Sequence, residues 1–166
     1  MHHAPLDLVT LKARPDLLAI VQSWLGERRA LPAGPEHCFV LLAGGVPAGT
    51  ASLAESSLAT RPDLGPWLAN LFVPERFRGR GYAGQLVGTV EGAAQAARVP
   101  TLWLVTRSAE RLYARLGWQA VGPALFQGDP ATLMRRDLAP VQKSRTYQKS
   151  KACQKSKAYR AESAAT

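Results

Sequence analysis

Val73-Pro74-Glu75-Arg76-Phe77-Arg78-Gly79-Arg80-Gly81-Tyr82-Ala83-Gly84 decides the fold. The apolar run leading into it, Trp67-Leu68-Ala69-Asn70-Leu71-Phe72-Val73, predicts a central strand, and the pattern after it predicts a helix over about residues 82–98. Gly79 and Gly81 sit at the turn between them. Glycine there opens backbone conformations closed to other residues and lets a ligand come close to the main chain. The helix start offers unpaired amides and the positive end of its dipole, both favourable to phosphate. Arg76, Arg78 and Arg80 add positive charge. Strand, loop and helix start together read as a cradle for a phosphate or pyrophosphate.

Working outward, Leu6-Asp7-Leu8-Val9-Thr10-Leu11 alternates as a first strand. Pro15 and Asp16 open a helix whose apolar face carries Leu17, Leu18, Val21, Trp24 and Leu25, and Gly26 stops it. Cys38-Phe39-Val40-Leu41-Leu42 and residues 46–53, joined by Gly44-Gly45, predict a hairpin. After the loop and its helix, Thr101-Leu102-Trp103-Leu104-Val105-Thr106 is the next strand. A short helix follows, with the Ser108 hydroxyl as its N-cap and Gly117 at its end. Residues 118–121 and 131–136 read as two closing strands. The fold class is α/β in the broad sense (α+β): a mixed, largely antiparallel central sheet of about six to seven strands flanked by helices. Gly84, Gly88 and Gly92, continued by Ala96, recur every fourth residue along the long helix. That row predicts close packing, so Gly88→Leu is expected to unfold or swell the domain.

Two anion-binding readings fit the loop. Gly79-x-Gly81-x-x-Gly84 matches the dinucleotide fingerprint literally, which keeps a dinucleotide-binding domain as an alternative. That fingerprint expects an acid about 20 residues onward, whereas the next strand ends in Thr106-Arg107-Ser108. Its turn also lies tight against its strand, whereas five residues separate Val73 from Gly79 here. The segment Arg78-Gly79-Arg80-Gly81-Tyr82-Ala83 resembles instead the Arg/Gln-x-x-Gly-x-Gly/Ala loop of the GNAT-type N-acetyltransferases. About 30 residues on, Leu112-Tyr113-Ala114-Arg115-Leu116-Gly117-Trp118 resembles that family's Tyr-x-x-x-Gly-Phe/Trp segment. Residues 66–73 resemble the family's strand before the loop, and the likeness spans roughly residues 6–138.

The resemblance implies a GNAT-like fold and an enzyme that moves an acetyl group from acetyl-coenzyme A to a primary amine of a small molecule or peptide, with no metal. It implies that main-chain amides of Arg78, Gly79, Arg80, Gly81, Tyr82 and Ala83 hold the pyrophosphate. Backbone groups of the Leu71-Phe72-Val73 segment would pair with the pantetheine arm, between two parallel strands splayed apart. Tyr113 matches the family's general acid, and a phenol of pKa about 10 stays protonated at neutral pH. Its position on the apolar face of the short helix suits a core aromatic equally. Where many family members carry an acid on the strand before the loop, this chain has Ala69 and Asn70, and Asn70 is no useful base. Glu55 and Asp63 are the nearby acids that remain, and either suits binding a cationic amine or acting through water as a base; Glu55 is the catalytic candidate, and Glu55, Asp63 and Trp67 are candidates for an acceptor site for a cation with an apolar portion. The missing acid leaves open a second class, a coenzyme A-binding module without catalysis.

The chain has 166 residues, two cysteines and a net charge of +9. Residues 1–138 form the expected domain, with Lys12 as its only lysine. Residues 139–166 carry seven Lys/Arg against Glu162 alone and repeat with period six as Gln-Lys-Ser-Arg/Lys-Thr/Ala-Tyr/Cys from Gln142. Neither a helix nor a strand gives this repeat a side to bury, so it is expected to be a disordered basic tail. Nucleic-acid contact through it is not the expectation, although its charge would allow an adaptor role. Cys38 and Cys153 make neither a disulfide framework nor a metal site, and no run approaches the roughly 20 apolar residues of a membrane span. A cytoplasmic protein is expected; a homodimer stays open.

Overall fold

The computed structural model describes residues 4–26 and 34–140; the six-residue repeats expected to be disordered lie outside the described residues. Among the described residues, seven strands form one sheet in the order β1-β2-β3-β4-β5-β7-β6. In chain order they are β1 (Leu6–Thr10), β2 (Cys38–Ala43), β3 (Val46–Ala54), β4 (Trp67–Phe72), β5 (Thr101–Thr106), β6 (Gln119–Phe126) and β7 (Asp129–Asp137). The α-helices among the described residues are α1 (Leu18–Leu25), α2 (Tyr82–Ala96) and α3 (Glu110–Arg115). Every neighbouring pair is antiparallel except β4 with β5. This is the mixed, largely antiparallel sheet that the sequence pattern predicts.

The two sheet faces are covered differently. On one, Leu86, Val87 and Val90 of α2 join Leu41, Ala51, Leu68 and Leu104 in the largest apolar cluster. On the other, Val21 and Leu25 of α1 pack with Val40 and Leu42 of β2. Because β2 is buried on both faces, it reads as a continuous apolar run and does not alternate. A third cluster, with Trp67, Leu58 and Leu133, fills the α1 side at the other half of the sheet.

Three local expectations need correction. The hydroxyl that serves the start of α3 belongs to Thr106, whose Oγ1 accepts the Ala109 N–H at 3.0 Å, and not to Ser108. The closing strands are longer than expected, because Gly122 and Pro123 stay within β6, an edge strand where proline breaks no ladder. The glycine row on α2 has no tight neighbour at its centre: a β-carbon on Gly88 or Gly92 would meet nothing within 4 Å. The buried row Tyr82, Leu86, Val90 and Ala94 lies two residues, about 200°, away and takes the sheet side.

Candidate active site

The site begins with an irregularity in β4. Thr50 lies opposite Phe72, yet Ser52 lies opposite Ala69, so Asn70 and Leu71 together face Ala51 as a bulge. Asn70 has φ 55°, in the left-handed region that asparagine tolerates better than most side chains. On its other edge β4 meets β5 at one rung, Trp67 with Trp103, joined by the Trp103 N–H to Pro66 O bond at 3.1 Å. Beyond that rung the strands part. A cleft of about 1190 Å³ opens there, lined by Asn70 and Leu71 of β4, Val105 and Thr106 of β5, and Tyr113 of α3.

The glycine–arginine loop stands at the end of β4. Gly79 and Gly81 have φ of 72° and 79°, and a β-carbon on either would meet nothing within 4 Å, so backbone conformation and not crowding selects glycine. Among the described residues, the amides of Gly79, Arg80 and Gly81 make no backbone hydrogen bond, and α2 starts directly after them. The Arg78 amide is different. It donates to Glu75 O at 3.1 Å, so the unengaged amides start at Gly79 and the expected set loses its first member. The Arg78 side chain turns back, its Nε donating to Val73 O at 3.0 Å. Arg76 and Arg80 lie over the Phe77 ring, 4.9 and 5.9 Å from its centre. Open space, unengaged amides, a helix start and three guanidinium groups fit a diphosphate.

Tyr113 lines the cleft while only 6 % exposed, and its ring meets Trp118 edge-on at 6.1 Å. It is a core aromatic and a cleft residue at once. Glu55, just past β3, lines the same cleft and is exposed. Glu55, Leu71 and Tyr113 therefore line one cleft. Phe72 instead packs on Trp24 at 5.7 Å, and Val73 joins the α2 core.

Asp63 and Trp67 stand apart from the cleft walls. Asp63 is held by Arg61 at 2.8 Å, and that guanidinium keeps its carboxyl below the usual aspartate value, which weakens it as a proton acceptor. Trp67 is fully buried, with its indole N–H on Leu64 O at 2.9 Å, and so packs beneath the cleft. Sequence reasoning missed Arg107 as a cleft residue. It is fixed by Asp129 at 2.7 Å, Gln127 at 3.2 Å and the Phe126 ring at 5.6 Å, on the wall made by the β6–β7 turn. Its position at the C-terminal end of a strand was the available signal. No group of His, Cys, Asp and Glu that could hold a metal occurs among the described residues. Among them, too, no helix is long and apolar enough to cross a membrane.

Comparison with known proteins agrees with this fold. The family model described as an acetyltransferase (GNAT) domain matches residues 34–120. No curated protein matches the chain in sequence. Among solved structures, Arabidopsis thaliana Naa50 in complex with the bisubstrate analogue CoA-Ac-MVNAL is similar, with a TM-score of 0.60 at 13% identity over 82% of this chain and 100% of that one. The ribosomal-protein-S18-alanine N-acetyltransferase from Escherichia coli gives 0.59 at 17% identity, over 84% and 98%. N-acetylglutamate synthase from Neisseria gonorrhoeae, complexed with coenzyme A and N-acetyl-glutamate, gives 0.64 at 17% identity, over 83% of this chain and 36% of that one.

Proposed function

The chain belongs to the GNAT acetyltransferase family, and from that premise we propose that it transfers an acetyl group from acetyl-coenzyme A to a primary amine of a small molecule or peptide by direct attack. The observation that carries this reading is the parting of β4 from β5 after one rung, which opens a cleft between the Leu71 main chain and Tyr113.

Acetyl-coenzyme A supplies an acyl group activated as a thioester. The amides of Gly79, Arg80 and Gly81 and the start of α2 bind its diphosphate, with Arg76, Arg78 and Arg80 screening the charge. Main-chain groups from Leu71 to Val73 receive the pantetheine arm, and an amide of the bulged segment stabilises negative charge developing on the thioester oxygen. Glu55 attracts the cationic amine to the cleft, and its carboxylate accepts the proton the amine must shed, directly or through water. As the carbon–nitrogen bond forms and the carbon–sulfur bond breaks, Tyr113 gives its phenolic proton to the leaving thiolate.

Release of coenzyme A thiol with a panel of amines, compared between the wild type and Tyr113→Phe, tests the reading. Turnover that falls about a hundredfold or more in the variant supports it. Binding of acetyl-coenzyme A without turnover on any amine would favour the non-catalytic coenzyme A-binding alternative. Failure to bind at all would remove both.

A further inference from the structure

Resting on the role read for Tyr113, a further inference concerns what holds that phenol in place. At six residues α3 is too short to be stable alone, so its ends decide where Tyr113 points. Its C-terminal end is a Schellman turn. Gly117, at φ 90°, donates its N–H to Ala114 O at 3.1 Å, and Trp118 donates its N–H to Tyr113 O at 3.0 Å. Tyr113 and Trp118 are thus joined through the main chain as well as through their rings.

Two side chains from distant elements grip this turn. Arg136 of β7 donates Nη1 to Gly117 O at 2.8 Å, and Glu91 of α2 accepts the Trp118 indole N–H at 2.9 Å. They also face each other, with Arg136 Nε 3.6 Å from Glu91 Oε1. Arg136 Nε is buried and makes no hydrogen bond, so the Glu91 charge is what compensates it. The fit extends to the glycine itself: a β-carbon on Gly117 would run into Nη1 of Arg136. At 3.6 Å, and with the Arg136 side chain 34% exposed, the ion pair itself adds little to stability. The return on this one is therefore geometric.

We propose that Arg136 and Glu91 are positioning residues for Tyr113. They hold the Gly117–Trp118 turn, and through it the phenol, at a fixed setting against the cleft. Glu91 lies on the helix that starts at the glycine–arginine loop, so the brace ties the phenol to the same element that presents the cofactor cradle.

A double-mutant cycle on the full chain tests this, with kcat and acetyl-coenzyme A affinity as separate readouts. Arg136→Met is expected to lower kcat about tenfold or more while affinity for acetyl-coenzyme A changes less than about twofold. In a Tyr113→Phe background the same substitution should cost little more, because the phenol it positions is gone. Arg136→Lys, which keeps a donor for Gly117 O, should recover part of the loss. Leu25→Ala, in the cluster under α1, controls for general destabilisation and should lower the melting temperature without the kcat effect. Should Arg136→Met fail to fold, Glu91→Gln carries the same test, since it keeps an acceptor for the indole and removes the charge. Unchanged kcat in these variants, or a full loss repeated in the Tyr113→Phe background, overturns the proposal. Full activity of Tyr113→Phe alone removes the phenol's role and the brace with it.

Discussion

The guanidinium of Arg78 reaches back over the loop to the carbonyl of Val73, its Nε 3.0 Å from that oxygen. This bond ties the loop to the end of the strand that precedes it, just before the unengaged Gly79–Gly81 amides that the proposed function assigns to the diphosphate. Pre-organisation of this kind reduces the ordering cost of binding. Arg78→Ala is accordingly expected to raise the KM for acetyl-coenzyme A about tenfold with a smaller effect on kcat, read by steady-state kinetics and by calorimetry.

Glycines of the loop and glycines of the helix should respond in opposite directions. Gly81→Ala puts a side chain at φ 79° and is expected to cost about 1 kcal/mol of stability along with cofactor affinity. Gly88→Ala and Gly92→Ala sit in open space on a regular helix and should each stabilise the fold by about 1 kcal/mol. Thermal unfolding of the three variants checks the sign of each.

The two acids separate in the same way. Glu55→Gln should raise the acceptor KM and reduce turnover at neutral pH, because its carboxylate lines the cleft. Asp63→Asn should leave turnover within about twofold, since Asp63 is engaged by Arg61 on the surface. A KM and kcat comparison on one good amine decides both; a large effect at Asp63 alone would relocate the acceptor.

Turnover should climb with pH as the acceptor amine loses its proton. Tyr113→Phe is expected to keep that rise while losing most of the rate, because the phenol's proton donation is gone and the amine's ionisation is unchanged. A pH–rate profile of kcat on a single amine checks both.

Much of this architecture is legible locally. The strand into the loop, the paired glycines and α2 are adjacent in sequence and carry their own periodicity, as do the Gly44–Gly45 hairpin and the stop at Gly26. What escapes local reading is set by distant pairing. Arg107 reaches Asp129 only because β7 inserts between β5 and β6, and Arg136 reaches Gly117 for the same reason. Asn70 is a residue type that tolerates the left-handed region, but the apolar run around it reads as an unbroken strand and hides the bulge. Trp67 reads as a cleft aromatic in sequence because a nearby loop carries an acid, whereas its indole is satisfied internally by Leu64. The glycine row is a different case. Its offset from Tyr82, Leu86 and Val90 is readable from the sequence, and it places Gly88 on the outer side of the helix.

The lone Trp67–Trp103 rung leaves a seam running through the sheet, with β1 to β4 on one bank and β5, β7 and β6 on the other. A molecule lodged in that seam does more than occupy a receptor. With acetyl-coenzyme A bound there as proposed, the molecule would span both banks as a removable stitch, and resistance to heat is expected to rise with its concentration.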